Sequence, residues 1–401
     1  MKRSTVVALR KLYSLAILIS LLVIAPQGSA YDGLVEKRVF SMPSFTTIGG
    51  DVLKDVRFGY ETYGQLNANK DNAIAILPYF GGTGHAAGKF AETDTAPGYW
   101  DSIIGSEKPI DTDKYFVIAG DGLINQVIKD GHTVTTGPAS IDPTSGKPYG
   151  MRFPILTVRD LVNAQKALVD SFGIKKLHAV MGLSMGGMQS FEWAAVFPSS
   201  TDHVIPVVGL AEADGYIIAN LHAWSAPIKI DPKWNKGDYY GKDEPIEGLS
   251  AAYEIMVHQA QHYGVLSKTT GRKWAQEGKD PAKGWENTFA AEAALDGTAG
   301  FLARMTDANS FLYQVKAIQL FVAGDGPTLD AGLVSVKARV LILPAQSDLM
   351  LYPKYSRDAA ERLSRLGKSA EYYEIPGDGG HLDGIHNIAG VSDLIRKFLS
   401  E

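Results

Sequence analysis

The sequence predicts an α/β fold in which a mostly parallel central sheet is interrupted by one inserted block of helices. Three observations support this prediction. Apolar runs with β character alternate with helical periodicity up to residue 210, and the alternation returns after residue 336. The block 211–335 between them has little strand pattern and several helical stretches. A Gly-x-Ser-x-Gly sequence stands between an apolar strand and a helix.

The first thirty residues have the pattern of a secretory signal peptide. A positively charged start is followed by an apolar run over 15–25 and by small residues at 28–30, before Tyr31. The apolar run is short for a membrane span, and Pro26 closes it. We therefore expect a periplasmic or secreted protein with no stable membrane insertion after cleavage of 1–30. An uncleaved anchor is the alternative.

Composition excludes several classes of function. Cleavage would remove four basic residues and no acidic residue, which changes the formal charge from −5 to −9 and argues against nucleic acid as a partner. The absence of cysteine excludes disulfides, thiolate nucleophiles and zinc–cysteine sites. His258 and His262 are four residues apart but lack the glutamate of a His-Glu-x-x-His motif. No metal and no cofactor are predicted.

Residues 31–210 are predicted to form the first part of the core. Strands are expected around Gly49-Gly50 and over 72–80 and 114–120, followed by an irregular polar segment over 121–149 and a helix over 158–172. The strand 72–80 ends in a glycine-rich turn, which lacks the Lys-Ser/Thr pair of a phosphate-binding loop. Such a turn supplies an oxyanion donor in serine hydrolases, and the N–H of Phe80 or Gly81 is the candidate.

The chain is organised around Ser184. An apolar strand meets Gly182-Leu183-Ser184-Met185-Gly186 and continues into a stretch rich in helix formers. Glycines at both ends permit the strained backbone and the close approach that a nucleophile elbow requires. The elbow presents the serine hydroxyl, and the N–H of Met185 points toward the place where an oxyanion would form. This pattern indicates the α/β-hydrolase fold.

Residues 336–401 are predicted to complete the core beyond the helical lid 211–335. A strand over 338–343 precedes Asp348, and a strand over 369–375 precedes His381. A serine nucleophile needs a base, and the base needs an acid that fixes its tautomer. The chain order Ser184, Asp348, His381 is the order that this fold uses. Asp348 is preferred to Asp378 and Asp383, which precede or share the loop of His381, and His386 is the fallback base.

Several longer motifs resemble homoserine O-acetyltransferases over nearly the whole chain after residue 30. They are Tyr60-Glu61-Thr62-Tyr63-Gly64, Lys108-Pro109-Ile110-Asp111-Thr112-Asp113, the segment from Thr136-Gly137-Pro138 to Gly150, the elbow with Glu192-Trp193, and Asp231-Pro232 to Tyr240. The resemblance implies a Ser-Asp-His triad on Ser184, Asp348 and His381. It also implies acyl transfer through an acyl-serine and a homodimer formed through the lid.

Three stretches depart from the family pattern. Leu123 to His132 stands where the family has a Gly-Gly-Cys-x-Gly-Ser-Thr-Gly-Pro type loop, and Ser225 or a neighbour replaces a lid arginine suited to a substrate carboxylate. The family has Gly-His-Asp at its histidine, whereas this chain has Gly380-His381-Leu382-Asp383. All three departures concern the recognition of substrate.

We therefore expect an exported serine hydrolase that cleaves an ester or amide of a small acyl substrate. Acetyl-CoA is a cytoplasmic metabolite, so an exported enzyme would release its acyl group to water or to another external nucleophile. One alternative is an O-acyltransferase that moves an acyl group from CoA to a hydroxyl acceptor. A second alternative is a non-catalytic binding protein on a hydrolase scaffold.

Overall fold

The computed structural model describes residues 33–401, and the predicted signal peptide 1–30 lies outside the described residues. Its strands are β1 (Arg38–Thr46), β2 (Val52–Tyr63), β3 (Ala73–Leu77), β4 (Ile104–Gly105), β5 (Ile110–Asp111), β6 (Phe116–Gly120), β7 (Ile141–Asp142), β8 (Lys147–Pro148), β9 (Leu177–Leu183), β10 (Thr201–Val207), β11 (Arg339–Ile342) and β12 (Ala370–Tyr372). Eight of these strands form one sheet in the order β1-β2-β6-β3-β9-β10-β11-β12. Only the pairs β1–β2 and β2–β6 of that sheet are antiparallel.

The helices are α1 (Val158–Ser171), α2 (Met185–Val196), α3 (Gly215–Ile230), α4 (Ile246–Ala260), α5 (Tyr263–Thr269), α6 (Ala290–Met305), α7 (Ala308–Gln319), α8 (Leu329–Leu333), α9 (Pro353–Arg365), α10 (Asp383–His386) and α11 (Ser392–Ser400). Helices α3 to α8 follow β10 and precede β11, so the chain between residues 208 and 338 builds the lid from helices. In the lid, α4 packs on α3 and α6, while α7 packs on α3. The α/β-hydrolase fold with an inserted helical block is thereby confirmed.

Buried side chains cover both faces of the sheet. Alternate residues of β3 belong to different apolar layers, since Ala75 and Leu77 pack with α1, α2 and the lid, whereas Ile74 and Ile76 pack with α11. This division follows from the period of two along a strand. The first layer continues without a break into the lid, so lid and sheet share one apolar core.

Local signals explain where the elements near the site begin and end. The side chain of Thr157 accepts the N–H of Asp160, whose carboxylate accepts the N–H of Thr157, and this capping box starts α1. Gly173 has a φ of +73°, which ends α1 before the strand that leads to Ser184. In residues 33–401, no helix is both long enough and apolar enough to cross a membrane.

Candidate active site

Ser184 lies on a strained turn between β9 and α2. Its φ of 55° and ψ of −113° are unusual for a residue with a side chain. A Cβ on Gly182 would lie 2.2 Å from the carbonyl oxygen of Gly186, and a Cβ on Gly186 would lie 2.2 Å from that of Leu77. Both glycines are therefore needed for strand and helix to approach so closely, and the turn holds the hydroxyl at the edge of the sheet.

The structure brings Ser184, His381 and Asp348 together in one chain of hydrogen bonds. Nε2 of His381 lies 2.8 Å from Oγ of Ser184, and Nδ1 lies 2.7 Å from Oδ2 of Asp348. The other oxygen of Asp348 accepts the N–H groups of Met350 and Leu351 at 2.8 and 2.9 Å. The carboxylate is buried and fixed, so it holds the proton of His381 on Nδ1 and leaves Nε2 to accept from the serine.

The competing residues lie elsewhere. The side chain of His386 is exposed at the end of α10. Asp378 is exposed as well and forms an ion pair with Lys268 of α5. Neither residue contacts Ser184, which leaves His381 and Asp348 as the partners that the geometry offers.

Asp383 and Ser347 connect the two loops that carry the base and the acid. The carboxylate of Asp383 accepts the N–H of Gly379 at 3.0 Å, the amide of Asn387 at 2.6 Å and the hydroxyl of Ser347 at 3.1 Å. Oγ of Ser347 in turn accepts the N–H of Gly380 at 2.9 Å. Sequence reasoning considered Asp383 only as a rival to Asp348 and missed Ser347, because the loops meet only in the folded chain.

Two of the backbone N–H groups near Ser184 that have no hydrogen-bond partner within residues 33–401 are candidate oxyanion donors. One belongs to Met185, the first residue of α2, and the other to Phe80, which lines the same cavity as the serine. The N–H of Gly81 donates to Oε1 of Gln314 on α7 at 3.1 Å. Of the two donors that the sequence left open, Phe80 is the one whose N–H remains available for an oxyanion.

The cavity in front of Ser184 has a volume of about 130 Å³ and is almost entirely apolar. Besides Ser184 and His381, the residues with polar side-chain groups that line it are Tyr79, Asn220 and Trp224, and the indole N–H of Trp224 donates to Gln259. Burial raises the pKa of Tyr79, so its hydroxyl stays neutral. The apolar wall comes from the core and the lid: Phe80, Leu183, Met188, Ile217, Leu221, Trp224, Met256, Ala260, Ile318, Met350, Leu351, Leu382 and Ile385. No Asp, Glu, Lys or Arg is among the residues described in this wall.

Comparison with known proteins places this geometry in a family. Residues 105–387 match the family model described as the alpha/beta hydrolase fold. The chain is 37% identical to homoserine O-acetyltransferase of Deferribacter desulfuricans over 92% of its own length and 96% of that protein. The chain belongs to the homoserine O-acetyltransferase family of α/β hydrolases. A member of this family is an enzyme, either a hydrolase or an acyltransferase, and not a non-catalytic scaffold.

The solved structures that are similar to this chain include an esterase and an acetyltransferase. The chain is 44% identical to esterase E22, with a TM-score of 0.87 and coverage of 91% of this chain and 100% of that one. It is 34% identical to homoserine O-acetyltransferase from Bacillus anthracis, again with a TM-score of 0.87, over 92% of this chain and 98% of that one. Both are similar to this chain throughout.

Residues from all three stretches that depart from the homoserine O-acetyltransferase pattern lie in the cavity wall or in the buried interior. Ser225 is buried in α3, and its hydroxyl donates to the carbonyl of Leu221 within the same helix. Leu382, which directly follows His381, contributes an alkyl side chain to the cavity wall. In the stretch 123–132, Asn125 and Gln126 are fully buried. None of these groups adds a charge to the site.

Proposed function

We propose that this member of the family hydrolyses esters of small, uncharged acyl groups through an acyl-serine intermediate. The observation that carries the proposal is the wall of the cavity, which contains Ser184 and His381 but, among the described residues, no Asp, Glu, Lys or Arg. A free amino acid carries an ammonium and a carboxylate, and burying either charge without a partner costs several kcal/mol. An uncharged ester fits the wall, whereas homoserine as an acceptor finds no ionic partner there.

The proposed reaction proceeds in two halves. His381 removes the proton of the Ser184 hydroxyl as Oγ attacks the ester carbonyl, and the N–H groups of Met185 and Phe80 stabilise the oxyanion. The collapse of this intermediate breaks the ester bond, and His381 returns the proton to the departing alcohol. Water then attacks the acyl-serine with His381 as base, the bond between the acyl carbon and Oγ breaks, and His381 returns the proton to Ser184 as the carboxylic acid leaves. Throughout, Asp348 orients the imidazole and stabilises its charged form.

Acyl transfer to a hydroxyl acceptor is the second candidate, and the names of the relatives favour it. The relatives at 35–38% identity are homoserine O-acetyltransferases, whereas the hydrolase proposal has the support of the esterase at 44% identity. Both reactions share the acyl-serine. They differ in the acyl donor, which is an ester or acyl-CoA, and in whether water or an alcohol accepts the acyl group.

The deciding experiment follows the acyl group on purified protein by intact mass. Wild type and Ser184→Ala are exposed to p-nitrophenyl acetate and butyrate or to acetyl-CoA, each with and without L-homoserine. We expect a serine adduct from the esters that clears in water at the same rate with or without homoserine. Ser184→Ala should lower turnover by a factor on the order of 10⁶ while its thermal unfolding stays unchanged.

Two results would overturn the proposal in different ways. Acylation by acetyl-CoA followed by rapid clearance only when homoserine is present would establish the transferase reaction. Ester turnover near the wild-type rate in Ser184→Ala would remove the acyl-serine from both candidates. Asn69→Ser, an exposed turn substitution, serves as the control for handling and mass assignment.

Export and assembly complete the proposal. The charge and apolar pattern of 1–30 supports cleavage before Tyr31. N-terminal sequencing of protein from the extracytoplasmic fraction tests this, and an intact Met1 would contradict it.

Ile230 on α3 and Phe301 on α6 are 81% and 58% exposed, which supports a homodimer through the lid. Sedimentation equilibrium should then give twice the chain mass.

A further inference from the structure

The backbone turn that carries Phe80 is held by three buried side-chain amides. Nε2 of Gln189 donates to the carbonyl of Pro78 at 2.8 Å, and Nδ2 of Asn125 donates to the carbonyl of Gly82 at 2.6 Å. Oε1 of Gln314 accepts the N–H of Gly81 at 3.1 Å. The first two amides belong to the core, whereas Gln314 lies on the lid helix α7.

The conformation of the turn explains why the contact between Gln314 and the N–H of Gly81 matters for the oxyanion site. The N–H of Gly82 donates to the carbonyl of Tyr79 at 2.8 Å, and Gly81 has a φ of +71°, as the third residue of a type II turn requires. In this conformation the N–H of Gly81 faces the lid. The Cα of Phe80 joins this anchored peptide to the preceding one, whose N–H is the oxyanion donor, so a turn that moved away from Gln314 would displace that donor.

A chain of donors fixes which atom of Gln314 faces the turn. A backbone N–H can only donate, so the atom that contacts Gly81 is an oxygen. The same oxygen accepts Nε2 of Gln126 at 2.7 Å, and Oε1 of Gln126 accepts the hydroxyl of Tyr253 at 2.6 Å. Burial raises the pKa of Tyr253, which keeps this donor protonated. The amide of Gln314 is therefore held in one orientation by Gln126 of the core and, through it, by Tyr253 of the lid.

We propose that Gln314 is a positioning residue of the lid, which by accepting the N–H of Gly81 fixes the turn so that the N–H of Phe80 is available to the oxyanion. The inference rests on the proposed acyl-serine chemistry, since an oxyanion forms in both of its halves. It makes the oxyanion site a joint product of core and lid. Gln314 itself touches no reacting atom.

The test separates transition-state stabilisation from substrate binding. Gln314→Met keeps the length of the side chain and removes the acceptor, whereas Gln314→Glu keeps an acceptor oxygen. Steady-state hydrolysis of p-nitrophenyl butyrate gives kcat and KM. Inhibition by an alkyl trifluoromethyl ketone reports the stabilisation of an oxyanion. Oγ of Ser184 adds to the ketone carbonyl, His381 takes the serine proton, and an anionic hemiketal forms. Gln165→Met is the matched control, because this buried amide donates to the carbonyl of Gly120 and has no hydrogen bond to residues 78–82 within the described chain.

We expect Gln314→Met to lower kcat and the affinity for the ketone by about 10- to 100-fold, which is at or below the effect of deleting one oxyanion donor. KM should stay within about twofold of the wild-type value. Gln314→Glu should stay within about tenfold of wild type, and Gln165→Met should be unchanged in both readouts. Wild-type kcat and ketone affinity in Gln314→Met would overturn the inference, as would equal losses in Gln165→Met. If activity persists in Ser184→Ala, the proposed function fails instead.

A second variant keeps the test decisive if Gln314→Met does not fold. Tyr253→Phe removes only the hydroxyl that orients Gln126 and, through it, Gln314. We expect kcat and ketone affinity to fall together by about threefold to tenfold, with KM unchanged. A Tyr253→Phe protein that folds and matches wild type in both readouts would count against the assignment of Gln314.

Discussion

The two backbone turns beside the catalytic serine are held in different ways. The elbow at Ser184 is stabilised from within its own five residues and the strand beside it, because Gly182 and Gly186 allow backbones to pack without a Cβ between them. The turn at Phe80 is fixed by side chains that lie 111, 43 and 233 residues away along the chain from the residues they hold. One turn depends on the absence of side chains, the other on their presence.

The difference shows which part of the oxyanion site can vary between relatives. The elbow admits no larger residue at its glycines, so its donor at Met185 keeps its place whatever the lid does. The donor at Phe80 depends on Asn125 in the stretch 123–132 and on Gln314 of the lid. The first of these lies in a segment that departs from the family pattern. Substitutions outside the catalytic residues can therefore change one donor while leaving the other intact.

The largest expected effect comes from breaking the elbow with Gly186→Ala. The new Cβ would lie 2.2 Å from the carbonyl oxygen of Leu77 and 3.2 Å from that of Pro78, and neither backbone atom can move freely. We expect the free energy of unfolding to fall by about 3 kcal/mol, as in severe overpacking. Turnover should fall by at least about 10²-fold, because Ser184 would shift relative to His381.

The control for this substitution is Gly297→Ala in α6. A Cβ on Gly297 meets no atom within 4 Å, so alanine should raise helix stability by about 0.5–1 kcal/mol and leave turnover unchanged. Urea unfolding and ester kinetics on both variants provide the comparison. An active Gly186→Ala protein of wild-type stability would show that the elbow tolerates a side chain, and the contrast between the two turns would disappear.

A smaller effect is expected from loosening the Phe80 turn through Asn125→Leu. Nδ2 of Asn125 donates to the carbonyls of Gly82 and Asp121, and Oδ1 accepts the N–H of Val127 at 2.9 Å. Leucine leaves these buried groups without their partner, at about 1 kcal/mol or more for each. We expect the free energy of unfolding to fall by about 3 kcal/mol and kcat by only about tenfold, since the elbow donor remains.

Kinetics and urea unfolding on Asn125→Leu test this distinction between the turns. Asn69→Leu on an exposed turn is the control, and it should stay within about 0.5 kcal/mol of wild type. A loss of kcat as large as that of Gly186→Ala would contradict the view that the two donors are held independently.

The same contrast explains what the sequence could predict. Gly182, Ser184 and Gly186 are adjacent in the chain, so the elbow was visible as a pattern, and Asp348 and His381 followed from chain order. In the structure these side chains and Ser184 form one chain of hydrogen bonds. The choice between Phe80 and Gly81 depends on the acceptor at Gln314, which no local pattern reveals. For this reason the sequence left both donors open.

The cavity wall was beyond sequence reasoning for a related reason. Ile217, Met256 and Ile318 belong to three different lid helices, and each looks in the sequence like an ordinary core residue. Only the packing of the lid on the sheet decides which apolar residues face Ser184. The bounds of one strand also differ from the prediction. The strand predicted over 72–80 ends at Leu77, where the chain begins its turn toward Phe80.

The smallest expected effect concerns the far end of the Phe80 turn, which is held by charges instead of amides. Oδ1 of Asp121 accepts the N–H of Gly84 at 2.7 Å. The ammonium of Lys37 lies 2.7 Å from the same carboxylate and 2.8 Å from that of Glu61. Burial alone would lower the pKa of Lys37, but these two carboxylates raise it above its ordinary value.

A raised lysine pKa fixes the sign of the pH dependence. Lys37 contributes its full stability below the pKa of an unfolded lysine, about 10.4, and that contribution is lost as the pH rises through the higher folded value. The unfolding free energy of wild type relative to Lys37→Met should therefore be constant from about pH 8 to 10 and decline above that range. Tyrosines titrate in both proteins, so their effect cancels in the difference. A difference that stays flat or grows toward about pH 11.5 would mean that the ion pairs do not hold this end of the turn.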